Sequence, residues 1–115
     1  MKSQITTHIL DVAAGHPAAE VQVTLEKRLD DGEWQVLGDG ITDNDGRVAT
    51  FSSDTSSLAA GLYRLTFETG AYFEIQDVLC FHPFVQITFE LSSANEHYHV
   101  PLLLSPFGFT TYRGS

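Results

Sequence analysis

The stretch VQVTLEKRL, Val21 to Leu29, decides how the rest of the chain is read. Val21, Val23 and Leu25 alternate with Gln22, Thr24 and Glu26, the period of two expected of a strand with one face on a core. Turn-forming residues bound it, Gly15 and Pro17 before and the DDG of residues 30–32 after.

The same period extends in both directions. ITTHILDV (Ile5 to Val12) and EWQVLGDGIT (Glu33 to Thr42) complete a first group of three strands. GRVATF (Gly46 to Phe51), GLYRLTFET (Gly61 to Thr69), FVQITFEL (Phe84 to Leu91), HYHVPLLL (His97 to Leu104) and FTTYRGS (Phe109 to Ser115) add five more. Eight short strands predict an all-β, two-sheet sandwich. One segment breaks the pattern: in GAYFEIQDVL (Gly70 to Leu79), Tyr72, Ile75 and Leu79 fall at i, i+3 and i+7 ahead of Pro83, which predicts one short helix.

Composition sets outer bounds. A chain of 115 residues, 43% hydrophobic, suits a single domain spanning residues 1–115. Six Lys and Arg against fifteen Asp and Glu give a formal charge of −9, which repels phosphate backbones and anionic membrane surfaces, so no nucleic-acid or membrane partner is expected. Cys80 is the single cysteine and has no internal partner for a disulfide. MKSQITTHILD runs directly into alternating sequence instead of an apolar leader, and no run approaches a membrane span, so a cytoplasmic location is expected.

The chemistry-bearing residues cluster near the two ends. In HYHVP, His97 and His99 share one face of a strand because successive residues alternate sides. With His8 they would make a three-nitrogen zinc set that activates water; without metal they suit acid and base work near neutral pH. Two solvated strand histidines are the plain alternative. His8 shares its face with Thr6 and Leu10, a position that also suits a partly buried structural histidine. Cys80 and His82 have ligand spacing, but a lone cysteine more often packs as a small hydrophobe.

TDNDGR (Thr42 to Arg47) places Asp43, Asp45 and Gly46 as in part of a calcium loop, but Ile41 and Ser52 stand where the first and last ligands belong. It reads instead as a tight turn in which Asn44, Asp45 and Gly46 tolerate positive φ. A turn does not require Arg47, whose planar guanidinium suits an anion; Arg28 and Arg64 read as ordinary solvent-facing strand positions.

Taken together, THILD, DGRV and HYHVPLLLSPFGFTTYRGS, with eight strands and one helix, resemble the 5-hydroxyisourate hydrolases, the transthyretin-related proteins of purine breakdown. The resemblance spans the whole chain, and YRGS at its end is the most specific element. Transthyretin, the thyroid-hormone carrier of the same fold, differs at these positions. The resemblance implies a transthyretin-like sandwich of two four-stranded sheets, a homotetramer built as a dimer of dimers, and hydrolysis of 5-hydroxyisourate to 2-oxo-4-hydroxy-4-carboxy-5-ureidoimidazoline without a cofactor or metal. It also implies a site in which His8, Arg47, His99 and Ser115 are catalytic and His8, Arg47, Tyr112, Arg113 and Gly114 bind substrate. Three other classes fit parts of the sequence: a zinc amidohydrolase using His8, His97 and His99, a carrier that binds an aromatic ligand in the tetramer channel without turnover, and a monomeric structural sandwich module.

Overall fold

Alternation becomes a pair of packed sheets. The computed structural model describes residues 3–92 and 96–115, and the elements run β1 (Ile5–Asp11), β2 (His16–Pro17), β3 (Gln22–Arg28), β4 (Trp34–Ile41), β5 (Arg47–Val48), β6 (Gly61–Phe67), α1 (Thr69–Ile75), β7 (Val85–Leu91), β8 (Tyr98–Ser105) and β9 (Gly108–Thr111). One sheet has the order β4-β3-β6-β7; the other has the order β2-β1-β8-β9, with β5 also paired to β1. Among the described residues α1 is the one helix. The two-sheet sandwich with one short helix is thus present, and the second sheet carries two strands of only two residues each.

The core is the sum of the inward faces. Ile5 and Ile9 of β1, Val100, Leu102 and Leu104 of β8, Val23 and Leu25 of β3, and Tyr63, Leu65 and Phe67 of β6 are buried in one cluster. A fully buried side chain of this size contributes about 1.5–3 kcal/mol, so strict alternation fixes which face of each strand turns inward. For β1 the outward face is Thr6, His8 and Leu10, and for β8 it is His99, Pro101 and Leu103.

Three segments depart from their sequence expectation. GRVATF pairs with β1 only through Arg47 and Val48. Beyond Val48 the chain crosses between sheets: the Ala49 carbonyl accepts from the Ser3 amide at 3.1 Å, whereas the Ser52 amide donates to the Asp39 carbonyl of β4 at 2.8 Å. Hydrogen bonds divided between two sheets cannot continue one ladder.

The strand expected from Phe109 to Ser115 stops at Thr111 and resumes as an isolated bridge between Gly114 and His99. The pairings Leu102 with Thr111 and His99 with Gly114 belong to one register, and the gap falls opposite Pro101. Proline has no amide hydrogen to donate, which opens the ladder there.

The helix is correctly located but its face is not. Thr69 and Phe73 are the buried residues of α1, while Ile75 and Leu79 are 88% and 80% exposed. Asp77 takes φ 56°, and the Val78 amide donates back to the Phe73 carbonyl at 3.0 Å, which closes the helix well before Pro83. Seven residues form too short a helix to stand alone, so packing of Phe73 and Tyr72 on the core sustains it. The Tyr72 hydroxyl adds a tie to the sheet by donating to Oδ2 of buried Asp11 at 2.8 Å. No helix among the described residues is long and apolar enough to cross a membrane.

Candidate active site

The site is assembled by strand pairing on the outward face of β1 and β8. These strands run parallel, with Thr6 beside His99 and His8 beside Pro101. On the other edge of β1, antiparallel β5 sets Arg47 directly opposite His8. His8 and Arg47 therefore become neighbours through one ladder, and His8 and His99 through another, with ring centroids 6.5 Å apart.

The turn before β5 explains the place of Arg47. Oδ1 of Asp43 accepts from the amides of Asp45 at 2.9 Å and Arg47 at 3.0 Å, an Asx turn that fixes the loop. The Arg47 amide is also the main reason the Asp43 carboxyl titrates below its ordinary range. Of the three residues read as tolerant of positive φ, only Gly46 uses it, at 76°. Gly46 also presses against β1: the Ile9 amide donates to its carbonyl at 2.7 Å, and a β-carbon there would collide with the Ile9 carbonyl oxygen. Glycine lets the chain turn and touch β1 in the same step.

Ser115 reaches the site because Gly114 anchors the final residues, donating its amide to the His99 carbonyl at 2.8 Å. Two adjoining depressions result. One, of about 240 Å³, is lined by Thr6, Thr7, Arg47, His97, His99 and Ser115 among others; the second, of about 300 Å³, adds His8, Pro101, Tyr112 and Gly114. Arg47, His99 and Ser115 belong to both, so the two form one recess of a size suited to a small ligand.

His97 and His99 do share a face, with ring centroids 6.4 Å apart. Between them lies a residue that sequence reasoning passed over. Oγ1 of Thr6 is 2.9 Å from Nε2 of His97 and 2.8 Å from Nδ1 of His99. The zinc set drawn from His8, His97 and His99 is not formed as a common ligand group, since one nitrogen of each of the latter two turns to Thr6; among the described residues no three His, Cys, Asp or Glu are so grouped.

Other candidates lie elsewhere. Arg113 lines a neighbouring apolar depression of about 200 Å³, its guanidinium 4.3 Å from the Tyr98 ring centroid and 3.6 Å from Oε1 of Glu96. Tyr112 lines both that depression and the histidine recess. Arg64 is not simply solvent-facing: it pairs with Glu26 at 2.9 Å and stacks 4.2 Å from the Trp34 centroid. Cys80 donates to the His82 carbonyl rather than sharing a ligand site with its ring, which packs edge-on against Phe81 and Phe109.

The architecture has known relatives. The model of the HIUase/Transthyretin family matches residues 5–114. The chain belongs to the HIUase/Transthyretin family. Within the HIUase/Transthyretin family, it is 47% identical over 111 residues to the 5-hydroxyisourate hydrolase of Salmonella dublin, covering 96% of this chain and 80% of that one. The solved 5-hydroxyisourate hydrolase of Klebsiella pneumoniae superposes with a TM-score of 0.81 at 41% identity, over 96% of this chain and 92% of that one. Sea bream transthyretin, solved with thyroxine, superposes with a TM-score of 0.89 at 32% identity, over 96% of this chain and 94% of that one. The hydrolase and the transthyretin both superpose closely on this chain, so backbone shape alone does not choose between them.

Proposed function

We propose that this chain hydrolyses 5-hydroxyisourate, opening its six-membered ring to give 2-oxo-4-hydroxy-4-carboxy-5-ureidoimidazoline in urate breakdown. The observation that carries this reading is the convergence of His8, Arg47, His99 and Ser115 on one recess from four separate parts of the chain. The 40–47% identity to curated hydrolases supports the same substrate.

Water adds across a cyclic amide bond in this reaction. An imidazole, His99 or His8, takes a proton from water as its oxygen bonds to the carbonyl carbon, a role generally worth about 10²–10⁴ in rate. Negative charge grows on the carbonyl oxygen, and the Arg47 guanidinium lies at the recess to meet it. A preorganised donor of this kind contributes about 3–4 kcal/mol to the transition state. The C–N bond then breaks, and the imidazolium returns its proton to the leaving nitrogen. Ser115, Gly114 and Tyr112 present hydrogen-bonding groups to a flat ligand rich in heteroatoms, and Arg113 orders the strand end that carries them.

The proposal includes one catalytic domain over residues 1–115, a cytoplasmic location and a homotetramer arranged as a dimer of dimers. Half-buried Leu10 and Leu103 at the recess support a second copy approaching this open face. A second reading, a carrier that binds an aromatic molecule without turnover, is favoured by the likeness to the thyroxine-bound transthyretin. Following the absorbance of freshly generated 5-hydroxyisourate separates the two. The hydrolase accelerates its decay well above the spontaneous rate, whereas saturable binding with decay at the spontaneous rate would leave only the carrier.

A further inference from the structure

We infer that Thr6 is a positioning residue that ties the proton positions of His97 and His99 together, so that His97 governs whether His99 is available as a base. The inference rests on the hydrolase reading for its catalytic meaning, but its geometry stands apart from that reading.

Thr6 is 6% exposed, and its hydroxyl lies within hydrogen-bond distance of both rings. A hydroxyl has one proton to donate and lone pairs to accept with. Its two imidazole partners are Nε2 of His97 and Nδ1 of His99. With both rings neutral, Thr6 donates to one and accepts from the other, because two ring N–H groups would leave its proton without an acceptor and two ring lone pairs would compete for one proton.

Two arrangements satisfy this. In the first, Nδ1–H of His99 donates to Thr6 and Thr6 donates to Nε2 of His97, which places the proton of both rings on Nδ1. In the second, Thr6 donates to Nδ1 of His99 and accepts from Nε2–H of His97, which places both protons on Nε2. Different nitrogens face the same hydroxyl, so the two neutral rings must adopt the same tautomer.

Only the first arrangement leaves Nε2 of His99 with a lone pair to receive a proton from water. When it does, the imidazolium still donates from Nδ1 to Thr6, and no bond in the chain reverses. Protonation of His97 has the opposite effect: His97 then donates to Thr6, Thr6 turns its proton to Nδ1 of His99, and the proton of His99 moves to Nε2. Acid thus silences His99 through a histidine that lies one step away from it. Among the described residues, the titratable and charged groups around this relay are His8 from β1, Arg47 from β5 with Asp43 in the turn before it, Glu90 from β7, Glu96 ahead of β8, and Tyr112 and Arg113 from the strand end beyond β9.

The test has two arms. Long-range proton–nitrogen NMR on protein with ¹⁵N-labelled histidine, near neutral pH, should show both rings as Nδ1–H in the wild type, with the coupling lost in Thr6→Val. Opposite tautomers in His97 and His99 of the wild type would overturn the proposal, without any variant having to fold. In the kinetic arm, Thr6→Val should lower kcat about 10²-fold with KM within about threefold, as expected when a general base is no longer held in its working form. Thr6→Ser should recover most of that loss, and the acid limb of the pH profile should shift in the Val variant only. Unchanged kcat in a folded Thr6→Val protein would overturn the positioning role with the hydrolase reading intact. Decay of 5-hydroxyisourate no faster with wild-type protein than without it would instead remove the hydrolase reading and leave the tautomer result standing.

Discussion

The amide of Gly114 donates to the carbonyl of His99 at 2.8 Å, and a β-carbon on Gly114 would stand 2.6 Å from Cδ2 of the same residue's imidazole. Glycine is required here for space: one bond holds the strand end to β8 while the missing side chain lets the ring of His99 lie over it. Gly114→Ala should displace that ring or the strand end, at an overpacking cost of about 1–3 kcal/mol. The expected result is a folded protein whose kcat falls by roughly 10-fold or more, read from steady-state turnover beside a thermal melt. Wild-type turnover would mean that the imidazole accommodates the methyl group without leaving its working position.

Arg47 is bound into the turn through its backbone, since its amide donates to Asp43, while its side chain faces the recess. Arg47→Lys keeps the charge and the turn but replaces a planar fork with a point ammonium. Turnover should fall about 10²–10³-fold, the scale of one lost oxyanion donor, with stability within about 0.5 kcal/mol of wild type. Comparing kcat/KM with the urea midpoint checks both halves, and near wild-type turnover would remove the guanidinium from the reaction.

The Tyr72 hydroxyl is pushed up to about 12 from an ordinary value of 10.0, first by burial and then by its bond to Asp11. The folded state therefore holds this proton more tightly than the unfolded chain does. Its contribution to stability is complete below pH 10 and disappears as pH rises toward about 12. Tyr72→Phe should cost about 1–3 kcal/mol at neutral pH, because buried Asp11 loses a partner, and should flatten the alkaline fall in stability. Denaturant midpoints of both proteins at about pH 8 and about pH 11 test the sign: the gap between them should narrow at the higher value. Tyr63, also raised by burial, keeps its own share in both proteins.

Period-two alternation was enough to place the long strands, because burying one face against a core leaves a mark every second residue. The same mark misleads where hydrogen bonding, not burial, limits the ladder. Val48, Phe51 and Thr55 are buried while the chain between them has already left β1. In the helix, Tyr72, Ile75 and Leu79 offered plausible spacing, but an αL residue at Asp77 turned Leu79 away before the pattern could continue. The histidines proposed as catalytic and Arg47 were legible as unusual residues in short motifs, and the family resemblance gathered them. Thr6 left no trace of this kind, since threonine is an ordinary strand residue and its partners lie 91 and 93 positions away.

The parallel pairing of β1 with β8 has a consequence for how the molecule acquires activity. The sheet β4-β3-β6-β7 is joined throughout by antiparallel neighbours, so it can grow by local contacts, but it holds none of His8, Arg47, His99 or Ser115. Bringing Thr6 to His99 closes a loop of 93 residues, and the length-dependent part of that closure alone costs about 4 kcal/mol. During synthesis, Thr6 of β1 must therefore wait without its two imidazole partners until β8 has left the ribosome. Turnover in a refolding experiment would report the joining of β1 to β8, an event that the circular dichroism of the first-formed sheet would not register.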